Sequence, residues 1–286
     1  MLFFLIAASE RSNEKPNKLY GEQMINLKSI SKNVPKKPRI IIYGPSGIGK
    51  STFGASAPNP IFIVTEDGLG DIEVPRLPKE GTAPDFNYVL DCLSALATED
   101  HDYKTVVIDS LDWLEPLIWD ATCKRLKVDS IESPGYGRGY VETTNAEWKD
   151  FFDAITYLRD TKNMNIIMIA HSAIVKIEDP IHPAYDKSTL KLHKRAAAKA
   201  EEYADIIGFC ALRTLITSEK EGFNNTRNRA VSTGERIMYL SPTAGFVAKN
   251  RFKTPDVIPL DWAEIEQYLP KGNVTPKEQT NKQGEN

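Results

Sequence analysis

The sequence contains little cysteine and no long hydrophobic run. Its three cysteines, Cys92, Cys123 and Cys210, are odd in number and far apart, which excludes both a disulfide framework and the close ligand spacing of a metal site. The apolar stretch at residues 1–8 is far too short to span a bilayer, and no basic segment precedes it. We therefore expect a protein of the reducing cytoplasm that has no membrane partner.

Positive charge is not in excess either. The chain has 36 Lys and Arg residues against 39 Asp and Glu residues, which gives a net charge of −3. This balance excludes a polycation that coats nucleic acid with its whole surface, but it does not exclude a local basic patch. The sequence also shows no internal repeat.

Short apolar runs alternate with helical patterns along the chain. Strands are predicted at residues 39–43, 60–64, 105–110, 166–170 and 204–212. Helices are predicted at residues 50–57, 85–98, 111–127, 142–160, 192–203 and 261–268. This alternation predicts an α/β fold, a mainly parallel sheet flanked by helices, with a C-terminal β-rich extension.

Several segments fall outside this alternation. Residues 1–37 are expected to form a flexible arm, 38–270 the folded domain, and 271–286 a disordered tail. Long loops are predicted at 129–140 and 172–190. Within the helix at 111–127, the residues Trp113, Leu117 and Ala121 fall on one side.

A glycine-rich segment joins the first strand to the first helix. Its residues are Gly44, Pro45, Ser46, Gly47, Ile48, Gly49, Lys50, Ser51 and Thr52. The glycines let successive backbone N–H groups turn toward phosphates, the lysine reaches the β- and γ-phosphates, and the hydroxyl of Ser51 ligates Mg²⁺. With a strand before it and a helix after it, this segment predicts a site for ATP and Mg²⁺.

Carboxylates follow the next two predicted strands. Asp109 ends its strand, where P-loop enzymes carry the second acid that anchors magnesium. Glu66 and Asp67 follow the strand at 60–64, where a carboxylate can act as general base on the attacking water. The residues alone leave open whether these two acids do so or only cap the turn at Gly68.

The order of these elements resembles that of the RecA-like ATPases. In that family the strand after the P-loop helix ends in the catalytic glutamate, which assigns the role to Glu66 rather than Asp67. The next strand carries the magnesium aspartate followed by serine, which matches Asp109-Ser110. The strand after that ends in a polar sensor of the γ-phosphate, a role that the resemblance gives to His171, with helix capping as the alternative.

A closer similarity is to phage ATP-binding proteins of RecA-like type that are proposed to be single-strand annealing recombinases. It covers roughly residues 38–260 and is carried by the strings at 44–52, 65–71, 107–113, 135–140, 170–172 and 190–194. It implies a DNA-stimulated ATPase that acts on single-stranded DNA in recombination or annealing, in the host cytoplasm. Other phage replication or recombination proteins are implied as further partners.

Two cations late in the chain resemble the finger of RecA-like and hexameric helicase ATPases. Lys249 and Arg251 are one residue apart, so on an extended segment they point to the same side. Such a finger reaches the ATP of the neighbouring subunit and stabilises transition-state charge. The resemblance thus implies head-to-tail self-association into a ring or a filament. A solvated cationic hairpin is the alternative.

In RecA-like folds, the loops after the third and fourth strands hold single-stranded DNA. The first of these segments offers Tyr136, Arg138 and Tyr140 among glycines, a combination of stacking rings and a phosphate partner. The second is followed by the cations Lys191, Lys194 and Arg195, with no acid between them. A solvated helix face and a plain connecting loop remain the alternatives.

Other functions of the same fold stay open at this level. A helicase or helicase-loading motor is one, although no primase or collar domain is recognisable in the sequence. A small-molecule kinase is another, but the arginine cluster of a mobile lid is absent between the third and fourth strands. A scaffold that binds ATP with little turnover is the last.

Overall fold

A single large sheet forms the centre of the molecule. The computed structural model describes residues 34–221 and 225–272, with side chains described for 34–215 and 232–272. The strands are β1 (Arg39–Gly44), β2 (Pro60–Val64), β3 (Arg76–Leu77), β4 (Thr105–Asp109), β5 (Asn165–Ile177), β6 (Tyr185–Leu190), β7 (Ile206–Glu221), β8 (Asn225–Tyr239), β9 (Lys249–Asn250) and β10 (Val257–Pro259). The helices are α1 (Lys50–Ala55), α2 (Phe86–Thr98), α3 (Leu111–Leu126), α4 (Arg138–Asn145), α5 (Glu147–Thr161), α6 (Lys194–Tyr203) and α7 (Trp262–Glu266).

The strand order is β10-β8-β7-β1-β5-β4-β2-β3, with β6 paired to β5 and β9 paired to β7. The strands from β7 to β3 in this order run parallel to one another, whereas β8 is antiparallel to its neighbours β7 and β10. The predicted α/β fold, a mainly parallel sheet flanked by helices, is confirmed. The carboxyl ends of β1, β4 and β2 therefore meet at one edge.

Alternate residues of β1 pack into two separate hydrophobic layers. Ile41 and Tyr43 face a layer that includes α2, α3, α5 and α6. Ile40 and Ile42 face the other layer, in which Phe53 of α1 and Trp262 of α7 are buried. Strands that are buried on both faces have continuous apolar sequences, so these strands could be predicted from the sequence.

The predicted loop at 172–190 is wrong for most of its length. Residues 172–177 continue β5 and pair antiparallel with β6, so the segment is a hairpin whose connection is limited to 178–184. The hairpin is largely exposed and lacks a buried apolar face, so its sequence shows no alternation of apolar and polar residues. With two prolines in the same segment, the pattern predicted a loop.

The predicted loop at 129–140 and the predicted helix at 142–160 also need correction. Gly137, with φ 69°, caps α4, so Arg138 and Tyr140 lie on a helix and not on a loop. A break at Ala146, with φ −115° and ψ −84°, separates α4 from α5. The glycines that suggested an extended loop serve instead as turn and cap residues.

Two further differences concern α3 and the C-terminal region. The buried face of α3 includes Leu111, Leu114 and Ile118, whereas Trp113 is 52% exposed. The strand predicted at 204–212 continues to Glu221 as β7, which forms a long antiparallel pair with β8. Both differences are set by tertiary packing, which overrides local pattern.

The predicted arm lies mostly outside the described residues, as does the predicted tail beyond residue 272. Across the described part of the chain, no helix has both the length and the apolar character that a bilayer crossing requires.

Candidate functional site

The glycine-rich loop leaves the sheet at the carboxyl end of β1. A Cβ atom on Gly44 would lie 2.4 Å from the carbonyl oxygen of Cys210 on β7, so only glycine fits at this position. Gly49 has φ 103° and caps α1, a conformation that a side chain disfavours. Lys50 Nζ donates to the carbonyl oxygens of Gly44 at 3.1 Å and Pro45 at 2.9 Å. Burial lowers the pKa of the Lys50 ammonium.

A hydroxyl and a carboxylate meet beside this loop. Ser51 Oγ donates to Asp109 Oδ2 at 2.7 Å, from α1 to the end of β4. Burial raises the pKa of the Asp109 carboxyl, and the hydrogen bond from Ser51 opposes this rise. A buried carboxylate paired with a hydroxyl provides the oxygen ligands that Mg²⁺ prefers.

A second acid follows β2. Glu66 Oε2 accepts a hydrogen bond from Ser110 Oγ at 2.9 Å and lies 3.7 Å from His171 Nδ1. Asp67, the alternative in sequence, is exposed and does not line the cavity described below. The structure therefore brings Glu66, and not Asp67, next to Asp109 and His171.

His171 is held by a buried acid on α3. The backbone N–H of His171 donates to Asp112 Oδ1 at 2.9 Å, and its Nδ1 donates to Asp112 Oδ2 at 3.0 Å. An ionised carboxylate only accepts, so Nδ1 carries the proton in this contact. Because the Asp112 side chain is only 2% exposed, the imidazole is fixed in orientation. No sequence pattern predicts this role for Asp112, although it lies two residues after Ser110.

These groups line one cavity of about 320 Å³. Its lining is formed by Ser46, Gly47, Gly49, Lys50, Ser51, Thr52, Glu66, Gly68, Ile72, Asp109, Ile169, His171 and Arg236. No cluster of three or more His, Cys, Asp or Glu side chains that could hold a metal alone occurs among the described residues. A glycine-lined cradle with one lysine, and one hydroxyl–carboxylate pair, fits a magnesium nucleotide whose own oxygens complete the metal shell.

Arg236 is a charged member of this lining that the sequence patterns did not predict. It lies on β8, far along the chain from the P-loop, and no motif surrounds it. Its Nη1 atom lies 3.0 Å from where a Cβ on Gly49 would be. Only the pairing of β8 with β7, and of β7 with β1, brings it there.

Lys249 and Arg251 lie at the opposite edge of the sheet. Lys249 Nζ donates to the carbonyl oxygens of Glu201 at 2.6 Å and Glu202 at 3.1 Å. Arg251 Nη1 donates to Asp205 Oδ1 at 3.0 Å, and Arg39, the first residue of β1, binds the same carboxylate. The pairing of β9 with β7 places Lys249 level with Ile41 of β1. The side chains of both cations are bound at the amino end of the parallel strands, whereas the P-loop follows the carboxyl end of β1.

The candidate DNA residues form a second group. Tyr136 is fully exposed, and Arg138, Lys191, Lys194 and Arg195 are exposed as well. Tyr140 is different, because its ring stacks on His193 at 3.9 Å and packs edge-on against Trp119. The two predicted DNA segments are thus in contact through Tyr140 and His193.

This second group is joined directly to the cavity. The backbone N–H of Lys191 donates to the carbonyl oxygen of His171 at 2.9 Å. Lys191 Nζ lies 3.8 Å from Asp112 Oδ2, and the backbone N–H of His193 donates to Glu115 Oε2 at 2.9 Å. One turn of α3 therefore contacts both His171 and the cationic segment.

One family model and two solved structures are similar to this chain. Residues 36–252 match the family model AAA_24, which describes an AAA domain. The crystal structure of the RadB recombinase is similar with a TM-score of 0.41 and 14% identity, over 78% of this chain and 86% of that chain. The crystal structure of the flagellar accessory protein FlaH from Methanocaldococcus jannaschii has a TM-score of 0.35 and 11% identity, over 76% of this chain and 91% of that chain.

No curated protein matches the sequence. The AAA domain model nevertheless spans most of the chain, with the whole cavity lining inside its residues. The protein therefore belongs to the AAA domain family AAA_24 and is a P-loop ATPase.

Proposed function

We propose that this ATPase binds single-stranded DNA and couples ATP hydrolysis to its annealing or pairing, as in phage recombination. The observation that carries the proposal is the hydrogen bond from the Lys191 backbone to the carbonyl of His171. It makes the start of the cationic segment a direct neighbour of the side chain expected to sense the γ-phosphate.

The chain supplies each role that hydrolysis requires. Lys50 would neutralise phosphate charge, and Ser51 with Asp109 would hold Mg²⁺, which would offset negative charge on the phosphates. Glu66 acts as general base on water, oriented by the hydroxyl of Ser110. His171, fixed by Asp112, contacts the terminal phosphate.

Positive charge near this site is left without acidic partners. Within residues 34–215 and 232–272, Arg138, Lys194 and Arg195 make no ion pair. Burial, followed by the charges of Lys194 and Arg195, lowers the pKa of His193. Uncompensated cations beside exposed Tyr136 suit the phosphates and bases of a single strand.

The test is ATP turnover at low salt with and without a single-stranded oligonucleotide. We expect the DNA to stimulate the wild type and the stimulation to be lost in the double variant Arg138→Ala/Lys194→Ala. Lys149→Ala is the matched control, since this exposed lysine on α5 pairs with Asp153 and lies outside both segments. Turnover that is the same with and without DNA would contradict the proposal.

Direct binding and strand assays complete the test. The double variant should bind a labelled single strand at least tenfold more weakly by fluorescence anisotropy, with a smaller dependence on salt. In a separate assay, the wild type should pair complementary strands and leave a forked duplex intact. Unwinding of the fork would instead indicate a helicase motor.

A further inference from the structure

We propose that Arg236 completes the nucleotide site from within the same chain, with its guanidinium in contact with the nucleotide phosphates. The inference rests on the proposed use of ATP, but not on DNA binding. Its ligand class is a nucleoside di- or triphosphate.

The strand pairing places Arg236 at the P-loop edge of the sheet. Arg236 pairs with Leu212 near the middle of β7, two residues beyond Cys210, which contacts Gly44. The backbone N–H of Leu260 donates to the carbonyl oxygen of Arg236 at 3.0 Å, so the main chain here is held by hydrogen bonds on both sides. The side chain then reaches over Gly49 and lines the cavity.

No acidic group of the described chain neutralises this guanidinium. The adjacent carboxylate, Glu235, is already taken by Arg213, whose Nε donates to Glu235 Oε2 at 2.6 Å. Within residues 34–215 and 232–272, Arg236 has no ion pair, and its side chain is exposed. An unpaired arginine at the wall of a phosphate cradle is suited to bind an anion through two parallel hydrogen bonds.

The charge balance of the cavity calls for this second cation. Glu66 and Asp109 bring two carboxylates to the lining, against one ammonium from Lys50. A magnesium nucleotide keeps net negative charge, so these groups alone leave the filled site with excess negative charge. Arg236 offsets part of that excess, whereas Lys249 and Arg251 lie at the far edge of the sheet in the same chain.

The test compares Arg236→Ala with Arg213→Ala, which removes the same charge from the same pair of strands. Affinities are measured with a fluorescent ATP analogue, followed by competition with ATP and with inorganic tripolyphosphate, which has no base or sugar. Arg236→Ala should weaken both competitors about tenfold, as expected for one charge-assisted contact. Arg236→Lys should recover part of the affinity, and Arg213→Ala should resemble the wild type.

Two outcomes would overturn the inference while the ATP site stands. One is equal affinity of Arg236→Ala and Arg213→Ala for both competitors. The other is weaker ATP binding with tripolyphosphate unchanged, which would move the contact to the base. A wild type that fails to bind ATP would overturn the proposed function as well. Matching thermal unfolding midpoints of Arg236→Ala and Arg213→Ala would exclude misfolding as the cause of lost affinity.

Discussion

Glu115 is a buried carboxyl group placed between the cavity and the cationic segment. Burial raises its pKa to about 7, the backbone N–H of His193 opposes the rise, and the charge of Asp112 adds to it. Tyr140 on α4 is a further titratable group that interacts with this carboxyl group. A carboxyl group in this position changes charge near neutral pH, where most glutamates stay ionised.

The pKa of Glu115 makes the stability of the fold depend on pH. The ordinary pKa is 4.5, so between pH 4.5 and about 7 the folded state holds the proton more often than the unfolded state. The free energy of unfolding therefore falls as pH rises through this window, by on the order of 3 kcal/mol in total. Glu115→Gln stays neutral and keeps an acceptor for His193, so its urea unfolding should show a smaller fall between pH 5 and pH 8.

Other groups with raised pKa values, such as Asp109 and Glu201, also make the free energy of unfolding depend on pH. Their contributions are the same in the wild type and in Glu115→Gln, so they cancel when the two profiles are subtracted. Glu99→Gln, which neutralises an exposed carboxylate, is the matched control and should follow the wild type. Parallel profiles for the wild type and Glu115→Gln would show that Glu115 does not carry this dependence.

At the scale of elements, an aromatic pair joins α4 to the residue that precedes α6. Tyr140 stacks on His193 with an interplanar angle of 11° and also packs on Trp119, while its hydroxyl donates to Glu132 at 3.2 Å. Tyr136, four residues earlier, is fully exposed. Tyr140 therefore contributes to packing and Tyr136 does not, although the sequence analysis predicted DNA binding for both.

Tyr140→Ala should destabilise the fold by about 1–3 kcal/mol, since it removes a half-buried ring and its stack on His193. Tyr140→Phe keeps the stack and should cost less than about 1 kcal/mol. Tyr136→Ala should change stability by less than about 0.5 kcal/mol, yet lower affinity for single-stranded DNA. Urea unfolding, with the same denaturant dependence for all variants, measures stability, and fluorescence anisotropy measures DNA affinity. Equal destabilisation by Tyr140→Ala and Tyr136→Ala would contradict the proposed packing role of Tyr140.

The strands and the loop at one sheet edge were predictable because their signals are local. A few consecutive residues are enough to recognise the apolar runs of β1 and β4 and the glycines that follow β1. The hairpin of β5 and β6 escaped detection because its exposed face has no periodic pattern. Arg236 and Asp112 escaped because their roles come from strand order and side-chain convergence, which no short window contains.

At the scale of the whole molecule, the position of Lys249 and Arg251 bears on assembly. They are tied to Asp205 and to carbonyls of α6 at the edge opposite the P-loop, so within one chain they do not reach the cavity. Although burial opposes it, hydrogen bonds and charge from Arg39 and Arg159 hold the pKa of Asp205 below its ordinary value. Asp205 therefore keeps arginine partners if Arg251 moves to a neighbouring subunit.

A mixing experiment tests whether the two cations act between subunits. Arg251→Ala should abolish turnover but keep ATP binding, and Lys50→Ala should lose ATP binding but keep the cations. Mixed together, the two inactive proteins should regain turnover, because some interfaces then pair an intact P-loop with an intact Arg251. Mixtures of Arg251→Ala with the double variant Lys50→Ala/Arg251→Ala serve as the control. Full activity of Arg251→Ala alone would rule out the role.

The contact between Phe53 and Trp262 gives the protein an internal optical probe. Phe53 lies on the short helix that follows the P-loop, and its ring meets buried Trp262 edge-on at 5.8 Å. If phosphate binding displaces that helix, Phe53 moves against the buried indole of Trp262. The change in its surroundings then alters the fluorescence of Trp262. With Trp113, Trp119 and Trp148 replaced by phenylalanine, the emission of a single residue reports the filling of the site in an unlabelled protein.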